Sequence, residues 1–352
     1  MKKQSRWILG LVMTLLIGVL TACGSEAAGS GNKETAKAES KPEKVVKIGY
    51  QKGNTVHILK ASGALEKRLA ERNIKVEWKE FPIGTALLEG LNTGAIDFGH
   101  ASDANGVFSQ ASGKPSLYVA SEKPYPRGVA LVVKESSPIQ TVQDFKGKKI
   151  GVTKGGNMHY LLVKALEKEG LTVDDVELVY YKDASEGRII FESDQIDVLG
   201  IWDPFLAVLE NDTATRTIVN GENLTQNRTF YFASEQFVNQ DTETLKIILD
   251  ELQKSDQWAN QHTPEVAALL AEELKIDVKP LEVANGRRDF GVLPIDEEAV
   301  KAQQDLADTF HSLKLFPDPV DIRSVSNTEG DWYPESVVSI EGNGRGGTRA
   351  KN

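Results

Sequence analysis

The chain has 352 residues, enough for two ordinary domains, and its 40% apolar and 26% charged residues are typical of a globular protein. The 41 Lys and Arg residues against 51 Asp and Glu residues give a net charge of −10, which excludes nucleic acid as an expected partner because phosphate backbones are repelled. Cys23 is the single cysteine and the five histidines show no zinc-ligand spacing, so a disulfide framework is excluded and we expect neither a metal ion nor a cofactor.

The N-terminus has the pattern of a secretory signal. Residues 1–6 are basic, and residues 7–20 form an apolar run shorter than the about 20 residues that a membrane-spanning helix needs. The sequence Leu20-Thr21-Ala22-Cys23 resembles a bacterial lipobox, which implies cleavage before Cys23 and a diacylglycerol on its sulfur. The alternative is an ordinary signal peptide with an incidental cysteine.

The segment after Cys23 is predicted to be a tether. Residues 24–44 contain no large apolar residue, so they cannot bury a core, and a similar polar tail closes the chain. We therefore divide the termini into a signal peptide (1–22), a lipidated cysteine with a disordered tether (23–44) and a flexible tail (336–352). The expected location is the outer face of the cytoplasmic membrane, reached through the lipid anchor only, and we expect a monomer.

The same pattern occurs twice, about one hundred residues apart. The first copy is Lys-Ile-Gly-x-x-Lys-Gly-Asn at 47–54, and the second is Lys-Ile-Gly-x-x-Lys-Gly-Gly-Asn at 149–157. Each copy continues in the same order, with a histidine, a helical pattern, a strand, a short helix and a strand that begins with Ile-Asp. In the first half these are His57, the helical pattern at 64–67, the strand at 74–80 and Asp97. In the second half they are His159, the helical pattern at 165–168, the strand at 176–181 and Asp197. This order predicts two similar α/β lobes with parallel strands; the alternative is chance similarity of two ordinary βα units.

The last third of the chain is predicted to be rich in helix. Residues 242–253 and 264–274 have apolar residues at helical spacing, and Thr263 with Pro264 fits an N-cap followed by the first helical position. The prolines of the run 123–126 indicate a defined crossover between the two halves. We place the first lobe at 45–130 with 226–335 and the second at 131–225.

Two glycine turns are the main candidates for a binding site. Lys52-Gly53-Asn54 and Gly155-Gly156-Asn157 each follow a predicted strand and open a helix, whose first N–H groups lack partners and attract anions. If the lobes form a clam, the two turns face each other and hold an anion from both sides. The alternative is that such turns are routine in βα units. Neither turn fits a P-loop or a dinucleotide fingerprint, which excludes ATP and NAD.

Other candidate residues have two interpretations each. Asp103 and Asp203 either cap helices or act on a ligand, by pairing with an amine or by screening out bare anions. His57 and His159 either donate to an anion or cap a helix. Trp202 is a pocket wall or a core residue, and the same choice applies to Phe81, Met158, Phe205, Tyr231 and Phe232. Catalysis finds little support, because the sequence has no nucleophile elbow and no triad spacing, so a binding function is favoured over an enzyme.

The motifs resemble those of the aliphatic-sulfonate-binding proteins of ABC importers. The resemblance is carried by the segments 48–53, 80–84, 87–92, 97–99, 137–139, 144–149, 154–155, 159–162, 201–204 and 320–323. It implies a type II periplasmic-binding-protein fold, two doubly wound α/β lobes around a ligand cleft, joined by two crossovers. Receptors for taurine, nitrate and pyrimidine precursors share this frame, as do some enzymes, and these remain alternatives.

The resemblance places the ligand at the loop after the first strand, the helix start after Lys154-Gly155 and the Trp202-Asp203 loop. The predicted ligand-binding residues are Gln51, Lys52, Gly53, Asn54, Phe81, Ser102, Asp103, Gly155, Gly156, Asn157, Met158, His159, Trp202 and Asp203. We expect the N–H groups of 53–54 and 156–157 to take the sulfonate oxygens, with help from Ser102 and Asn157, and the closed form to dock on a membrane permease.

Overall fold

The computed structural model describes residues 44–113, 116–328 and 330–338. The predicted signal peptide, the lipidated Cys23, the tether up to residue 43 and the part of the predicted tail from residue 339 lie outside these ranges. Residues 336–338, which we assigned to the flexible tail, are instead packed against the first lobe, where Val337 is fully buried. Lys44, which we assigned to the tether, is the first residue of the first strand. No helix within the described ranges combines the length and the apolar content needed to cross a membrane.

The described residues contain strands that form two separate sheets. The strands are β1 (Lys44–Tyr50), β2 (Ile74–Glu80), β3 (Phe98–Ser102), β4 (Leu117–Glu122), β5 (Val129–Lys134), β6 (Lys149–Val152), β7 (Glu177–Tyr180), β8 (Val198–Trp202), β9 (Thr215–Asn220), β10 (Thr229–Ala233) and β11 (Val292–Leu293). The first sheet has the order β11-β4-β10-β3-β1-β2, and the second has the order β7-β6-β8-β5-β9.

The helices cover the faces of these sheets and make up most of the C-terminal third. They are α1 (Thr55–Ser62), α2 (Ala64–Ala70), α3 (Gly84–Asn92), α4 (Asp103–Ala111), α5 (Asn157–Lys168), α6 (Ala184–Glu192), α7 (Phe205–Asp212), α8 (Glu235–Gln240), α9 (Thr242–Gln261), α10 (Thr263–Leu274), α11 (Val278–Gly286) and α12 (Glu297–Ser312).

The two sheets have the same topology. In the first, β1 pairs in parallel with β2 and β3, and β10 then runs antiparallel between β3 and β4. In the second, β6 pairs in parallel with β7 and β8, and β5 then runs antiparallel between β8 and β9. The prediction of two similar α/β units is confirmed.

The predicted repeat is also visible in matching hydrogen bonds. The Asp97 carboxylate accepts the Lys47 N–H at 2.7 Å, and the Asp197 carboxylate accepts the Lys149 N–H at 2.8 Å. Each aspartate thus ties the residue before its own strand to the neighbouring parallel strand, in the middle of β1 in the first sheet and at the first residue of β6 in the second. The two Ile-Asp pairs are therefore equivalent structural positions at the amino ends of parallel strands.

Two crossovers connect the sheets. Residues 123–128 lead from β4 in the first sheet to β5 in the second, and residues 221–228 lead back from β9 to β10. The proline-containing strap predicted at 123–126 lies in the first crossover. Each sheet buries apolar side chains on both faces, and the helices after β10 return to the first sheet, where Leu249 and Leu252 of α9 share a core with Ile48 of β1.

Three helix boundaries differ from those predicted. Helix α9 continues from residue 253 to Gln261. Helix α10 begins at Thr263 with His262 as its N-cap, so Pro264 is the second helical residue rather than the first. Helix α7 begins at Phe205 with Pro204 as its N-cap, one residue later than an N-cap at Asp203 implies.

Candidate functional site

A histidine braces each glycine turn in the same way. Gly53 (φ +87°) and Gly155 (φ +65°) have left-handed backbones, which favour glycine. The Gly53 N–H donates to Nδ1 of His57, and the Gly155 N–H donates to Nδ1 of His159, both at 3.2 Å. Both rings are 1% exposed. Neither of the two interpretations describes this bond, since each ring accepts an N–H group of its turn, and a role of the histidines toward an anion stays a prediction.

Burial keeps both histidines neutral at neutral pH. It lowers the pKa of His159 to about 4, with the Lys154 charge acting in the same direction. Burial also lowers the pKa of His57, and Glu273, whose carboxylate is 4.0 Å from Nε2, opposes this. Because Nδ1 of each ring accepts a hydrogen bond, each neutral ring carries its proton on Nε2.

The free N–H donors coincide only in part with the ones that we predicted. The Gly53 N–H is held by His57, and the Gly156 N–H donates to the Thr153 carbonyl at 3.0 Å, so neither is available to an anion in this structure. The donors without an intrahelical acceptor are one or two residues further along, at Thr55 and Val56 of α1 and at Asn157 and Met158 of α5. Asn157 is among the predicted donors, whereas the Gly53 and Gly156 N–H groups already have acceptors, and whether the free N–H groups hold an anion stays a prediction.

The start of α5 lies against the first lobe. A Cβ at Gly155 would be 2.3 Å from the ring of Phe108 in α4, so only a glycine allows this approach. The Asn157 side chain donates from Nδ2 to Oδ1 of Asn227 in the second crossover at 2.6 Å. The ring of His159 lies 5.7 Å from that of Phe310 in α12. The second glycine turn is therefore packed onto both the first lobe and the crossover.

Gln51 and Lys52 follow β1 and point to different partners. The Gln51 N–H donates to Nε2 of His100 in β3, and its side-chain Nε2 donates to the His100 carbonyl, both at 3.3 Å. Burial lowers the pKa of His100 to about 3, so it acts as a neutral acceptor here. Lys52 is exposed, with Nζ 3.6 Å from Glu80. Gln51 is thus fixed to the end of β3, whereas Lys52 lies at the surface.

Ser102 and Asp103 are committed to the start of α4. Ser102 is its N-cap, and its hydroxyl donates to Oδ1 of Asn105 at 2.9 Å. The Asp103 carboxylate accepts the N–H groups of Ala104 at 2.7 Å and Arg228 at 3.2 Å. Burial nevertheless raises the pKa of Asp103 to about 6. The help that we predicted from the Ser102 hydroxyl requires it to leave Asn105, whereas the Asn157 amide keeps a second N–H beyond the one bonded to Asn227.

Asp203 is held from both lobes. Its carboxylate lies 2.7 Å from the Tyr125 hydroxyl and accepts the Ala207 N–H at 3.2 Å. Nη1 of Arg287, the residue after α11, lies 3.1 and 3.3 Å from its two oxygens. Burial raises the pKa of Asp203, and Tyr125 and Arg287 oppose the rise. The carboxylate caps α7 from the residue before its N-cap, and its role toward a ligand stays a prediction.

The apolar candidates divide between partly exposed and core positions. Met158 is 4% exposed and packs in the core of the second lobe against Gly200. Tyr231 and Phe232 are fully buried in the first lobe. The remaining three, Phe81, Trp202 and Phe205, are half-buried, and the ring of Trp202 meets that of Phe205 edge-on at 5.8 Å. Met158, Tyr231 and Phe232 are thus core residues in this structure, and a pocket-wall role for Phe81, Trp202 and Phe205 stays a prediction.

A buried charge pair that the sequence did not indicate lies beneath the start of α1. Arg288 bonds to Glu122, which also accepts the Thr55 hydroxyl at 2.7 Å. The guanidinium lies 5.3 Å from the ring of Tyr125 and 4.8 Å from that of Phe290. Burial lowers its pKa to about 10, so it is charged at neutral pH. The one sequence feature that could have drawn attention to Arg288 is that two arginines, Arg287 and Arg288, are adjacent in an acidic chain.

A small cavity lies beside the second crossover. Its volume is about 120 Å³, room for about four waters, and its polar lining includes Asp103, Tyr160, Gln226, Arg228, Gln303 and Asp305. Arg228 is 4% exposed and donates from Nη1 to Ser121 at 3.1 Å. Across 44–113, 116–328 and 330–338, no group of three His, Cys, Asp or Glu side chains is placed to hold a metal ion.

Comparisons with known proteins agree with this architecture. The family described as NMT1/THI5 like matches residues 69–267. An aliphatic sulfonates-binding protein of Escherichia coli (strain K12) is 34% identical over 302 residues, which cover 85% of this chain and 92% of that protein.

Solved structures extend the comparison. The crystal structure of the periplasmic aliphatic sulphonate binding protein of Escherichia coli has a TM-score of 0.77 at 32% identity and covers 80% of this chain and 91% of its own. The alkanesulfonate-binding protein of Xanthomonas axonopodis pv. citri bound to MOPS has a TM-score of 0.74 at 32% identity, with coverages of 80% and 98%. A desulfurization enzyme, with a TM-score of 0.58 at 17% identity, covers 86% of this chain and all of its own, and shares the fold alone. The periplasmic-binding-protein fold is confirmed, and the chain belongs to the family of aliphatic-sulfonate-binding proteins within the wider NMT1/THI5-like group.

Proposed function

We propose that this chain is the substrate-binding component of an ABC importer and that it captures aliphatic sulfonates. The observation that carries the proposal is the 34% identity to the Escherichia coli protein over 92% of that protein's length, which includes both lobes. The chain then delivers its ligand to a membrane permease. We propose lobes at 45–130 with 226–335 and at 131–225, a cleft between them, and a monomer.

The chemistry of a sulfonate suits the two helix starts. A sulfonate is a permanent anion with three acceptor oxygens, so it needs N–H donors and no proton transfer. The first turns of α1 and α5 present such donors at Thr55, Val56, Asn157 and Met158 with the positive ends of two helix dipoles. Trp202 and Phe81 then cover the carbon chain as the lobes close.

The charges of the cleft favour an alkanesulfonate over taurine, whose amine needs a carboxylate partner. Asp103 accepts two backbone N–H groups, and Asp203 is bonded to Tyr125 and Arg287. A ligand ammonium would have to displace one of these partners. We therefore expect butanesulfonate to bind more tightly than taurine.

The chain is proposed to be a receptor rather than an enzyme. Cys23, its single cysteine, lies in the N-terminal segment, and the sequence offers no other thiol for a nucleophile. A turnover assay with purified protein and an alkanesulfonate should return the ligand unchanged. Release of sulfite at a catalytic rate would contradict this.

Mass spectrometry of small molecules released from the purified protein is the first test of the ligand class. Calorimetry with butanesulfonate, taurine and nitrate then ranks the candidates from about pH 6 to 9. Because burial lowers the pKa of His57 and lowers that of His159 to about 4, neither ring changes its charge above about pH 7, and the affinity for butanesulfonate should be flat from there to pH 9. Binding of nitrate alone, or a steep loss above pH 7, would overturn the proposal.

The cradle itself is tested by Gly156→Val. A Cβ at Gly156 would be 2.1 Å from the Thr153 hydroxyl, so the substitution distorts the start of α5 and should weaken binding about tenfold or more. An unchanged affinity for butanesulfonate would remove this turn from the site.

We further propose that Cys23 carries a lipid that holds the protein on the outer face of the cytoplasmic membrane. The resemblance of residues 20–23 to a lipobox supports it. Cys23→Ser should move the protein from the membrane fraction to the soluble extracytoplasmic fraction. A variant that stays with the membrane would refute the anchor.

A further inference from the structure

Helix α11 lies between the two lobes beside the first crossover, where the Tyr125 hydroxyl donates to the Ala284 carbonyl at 2.8 Å. Its Leu281 packs in a cluster with Ile58 of α1 and Leu270 of α10, which belongs to the first lobe. The same helix also contacts α7, which follows β8 in the second lobe. The residue immediately after α11 is therefore placed where one lobe meets the other.

That residue, Arg287, makes charged hydrogen bonds only to the second lobe among the described residues. Nη1 lies 3.1 Å from Asp203 Oδ1, and Nη2 bonds to a carboxylate oxygen of Glu210 in α7. The side chains of Arg287, Asp203 and Glu210 are 20%, 3% and 32% exposed. Salt screens such partly buried pairs less than it screens surface pairs.

The position of Asp203 does not depend on Arg287. The Ala207 N–H and the Tyr125 hydroxyl hold the carboxylate from its own helix and from the first crossover. When α11 moves away from α7, the bonds from Arg287 must break, while the bond from the Ala207 N–H lies within the second lobe and remains. The Arg287 guanidinium is thus the movable half of the contact.

We propose that Arg287 is a latch that holds the lobes closed over the ligand by bonding to Asp203 and Glu210 and thereby slows ligand release. The inference rests on the proposed function, because it assigns the closed lobes to ligand capture. Arg287 is a positioning residue, since it acts on the closed state through the second lobe. It affects the dissociation rate constant, whereas the first encounter with the ligand takes place before the latch forms.

The test measures release of butanesulfonate by stopped-flow fluorescence, with Trp202, the neighbour of Asp203, as the reporter. Arg287→Gln should raise the dissociation rate constant about 10- to 100-fold, as expected for loss of charge-assisted hydrogen bonds, and change the association rate constant less than about twofold. Arg323→Gln is the matched control, because Arg323 pairs with Glu297 at the exposed surface of the first lobe alone. It should leave both rate constants unchanged.

A second variant keeps the test decisive if Arg287→Gln folds poorly. Glu210→Gln removes one carboxylate from the other lobe and should also speed release. The double variant Arg287→Gln with Glu210→Gln should release the ligand no faster than Arg287→Gln alone, since the two residues share one interaction. Fully additive effects, or unchanged release in both single variants, would overturn the latch.

Small-angle scattering of the ligand-free protein separates this inference from the proposed function. If no sulfonate binds to the wild type, the proposed function fails, but the latch still predicts a larger radius of gyration for Arg287→Gln than for Arg323→Gln. Equal radii in that case would overturn the latch as well.

Discussion

His159 fixes the second glycine turn through a hydrogen bond that exists only while its ring is neutral. Nδ1 accepts the Gly155 N–H, and protonation would replace this acceptor with a donor. The folded-state pKa of about 4 lies below the value near 6.5 expected for the unfolded chain. The unfolded state therefore binds the proton more readily between these two values.

This difference makes stability depend on pH. The His159 contribution is complete above about pH 6.5 and is lost as the pH falls toward about 4, by about 3 kcal/mol in total. In His159→Asn the amide oxygen can still accept the Gly155 N–H but does not titrate, so urea unfolding should show a shallower loss of stability between these pH values. A slope equal to that of the wild type would contradict the assigned role.

Asp256 in α9 is a second residue whose environment costs stability. It is 1% exposed, and neither carboxylate oxygen has a hydrogen-bond partner among the described residues. Burial raises its pKa well above the ordinary value, Asp289 acts in the same direction, and Lys123 opposes the rise. Above about pH 4 the unfolded chain ionises while the folded protein keeps the proton, so stability falls as the pH rises.

Asp256→Asn removes this titration and should stabilise the protein at pH 8 by about 1–3 kcal/mol, with a gain that shrinks toward pH 4. Thermal unfolding at both pH values measures the effect. Asp308→Asn on the exposed face of α12 serves as the control and should change little. A larger gain at pH 4 than at pH 8 would show that the carboxylate is not the cause.

The sequence predicted the residues of the glycine turns and of the strand starts better than it predicted the residues that contact them from distant parts of the chain. The repeat identified His57, His159, Asp97 and Asp197, because residues close together in sequence form each turn. It could not identify Arg287, since Arg287 meets Asp203 only after α11 folds against α7, and a local pattern does not encode that contact. The repeat also did not show that the Gly53 and Gly156 N–H groups are already bonded, to His57 and to Thr153.

At the scale of elements, the packing of the start of α5 against α4 requires a glycine at position 155. Gly155 and Gly170 both have left-handed backbones, with φ of +65° and +71°. A Cβ at Gly155 would meet Phe108 at 2.3 Å, whereas a Cβ at Gly170 would have nothing within 4 Å. The two positions therefore share the backbone strain of a substitution but differ in the contact between lobes.

Alanine at each position separates these two effects. Both Gly155→Ala and Gly170→Ala should lose about 1 kcal/mol of stability or slightly more, the cost of a left-handed alanine. Only Gly155→Ala should also weaken butanesulfonate binding, by about tenfold, because it keeps α5 from closing onto Phe108. Calorimetry measures both affinities, and equal losses of affinity would mean that strain alone acts.

Local pattern predicted elements well where burial is regular. The strand expected at 74–80 is β2, with the same boundaries, because its pairing with β1 follows directly from the repeat. Helix α9 was predicted too short because Ser255 and Asp256 are polar residues on its buried face, which interrupts the apolar stripe. The insertion of β10 between β3 and β4 is a long-range antiparallel pairing, and nothing in residues 229–233 specifies it.

For the molecule as a whole, charge opposes the arrival of an anionic ligand. The net charge is −10, and it would be −13 if the predicted signal peptide, with Lys2, Lys3 and Arg6, were removed. Capture therefore depends on short-range donors rather than on steering by net charge. The association rate constant for butanesulfonate should stay constant or rise between about 20 and about 300 mM NaCl, as screening weakens the repulsion. A steep fall of this rate constant with rising NaCl, measured by stopped-flow fluorescence, would show that local positive charge near the site attracts the ligand more strongly than the net charge repels it.

The position of β10 in the first sheet has a consequence for how the chain matures. Without β10, the parallel group β2-β1-β3 and the strand β4 have no neighbour in common, and β10 lies beyond every strand of the second sheet in the chain. During synthesis from the N-terminus, all strands of the second sheet have been made by residue 220. The strands β1 to β4 of the first sheet, although made earlier, cannot complete their pairing until β10 has been made. The first sheet is thus begun first and completed last. Until β10 pairs with β3 and β4, their edges are exposed, and this is the stage at which the protein would most need a chaperone.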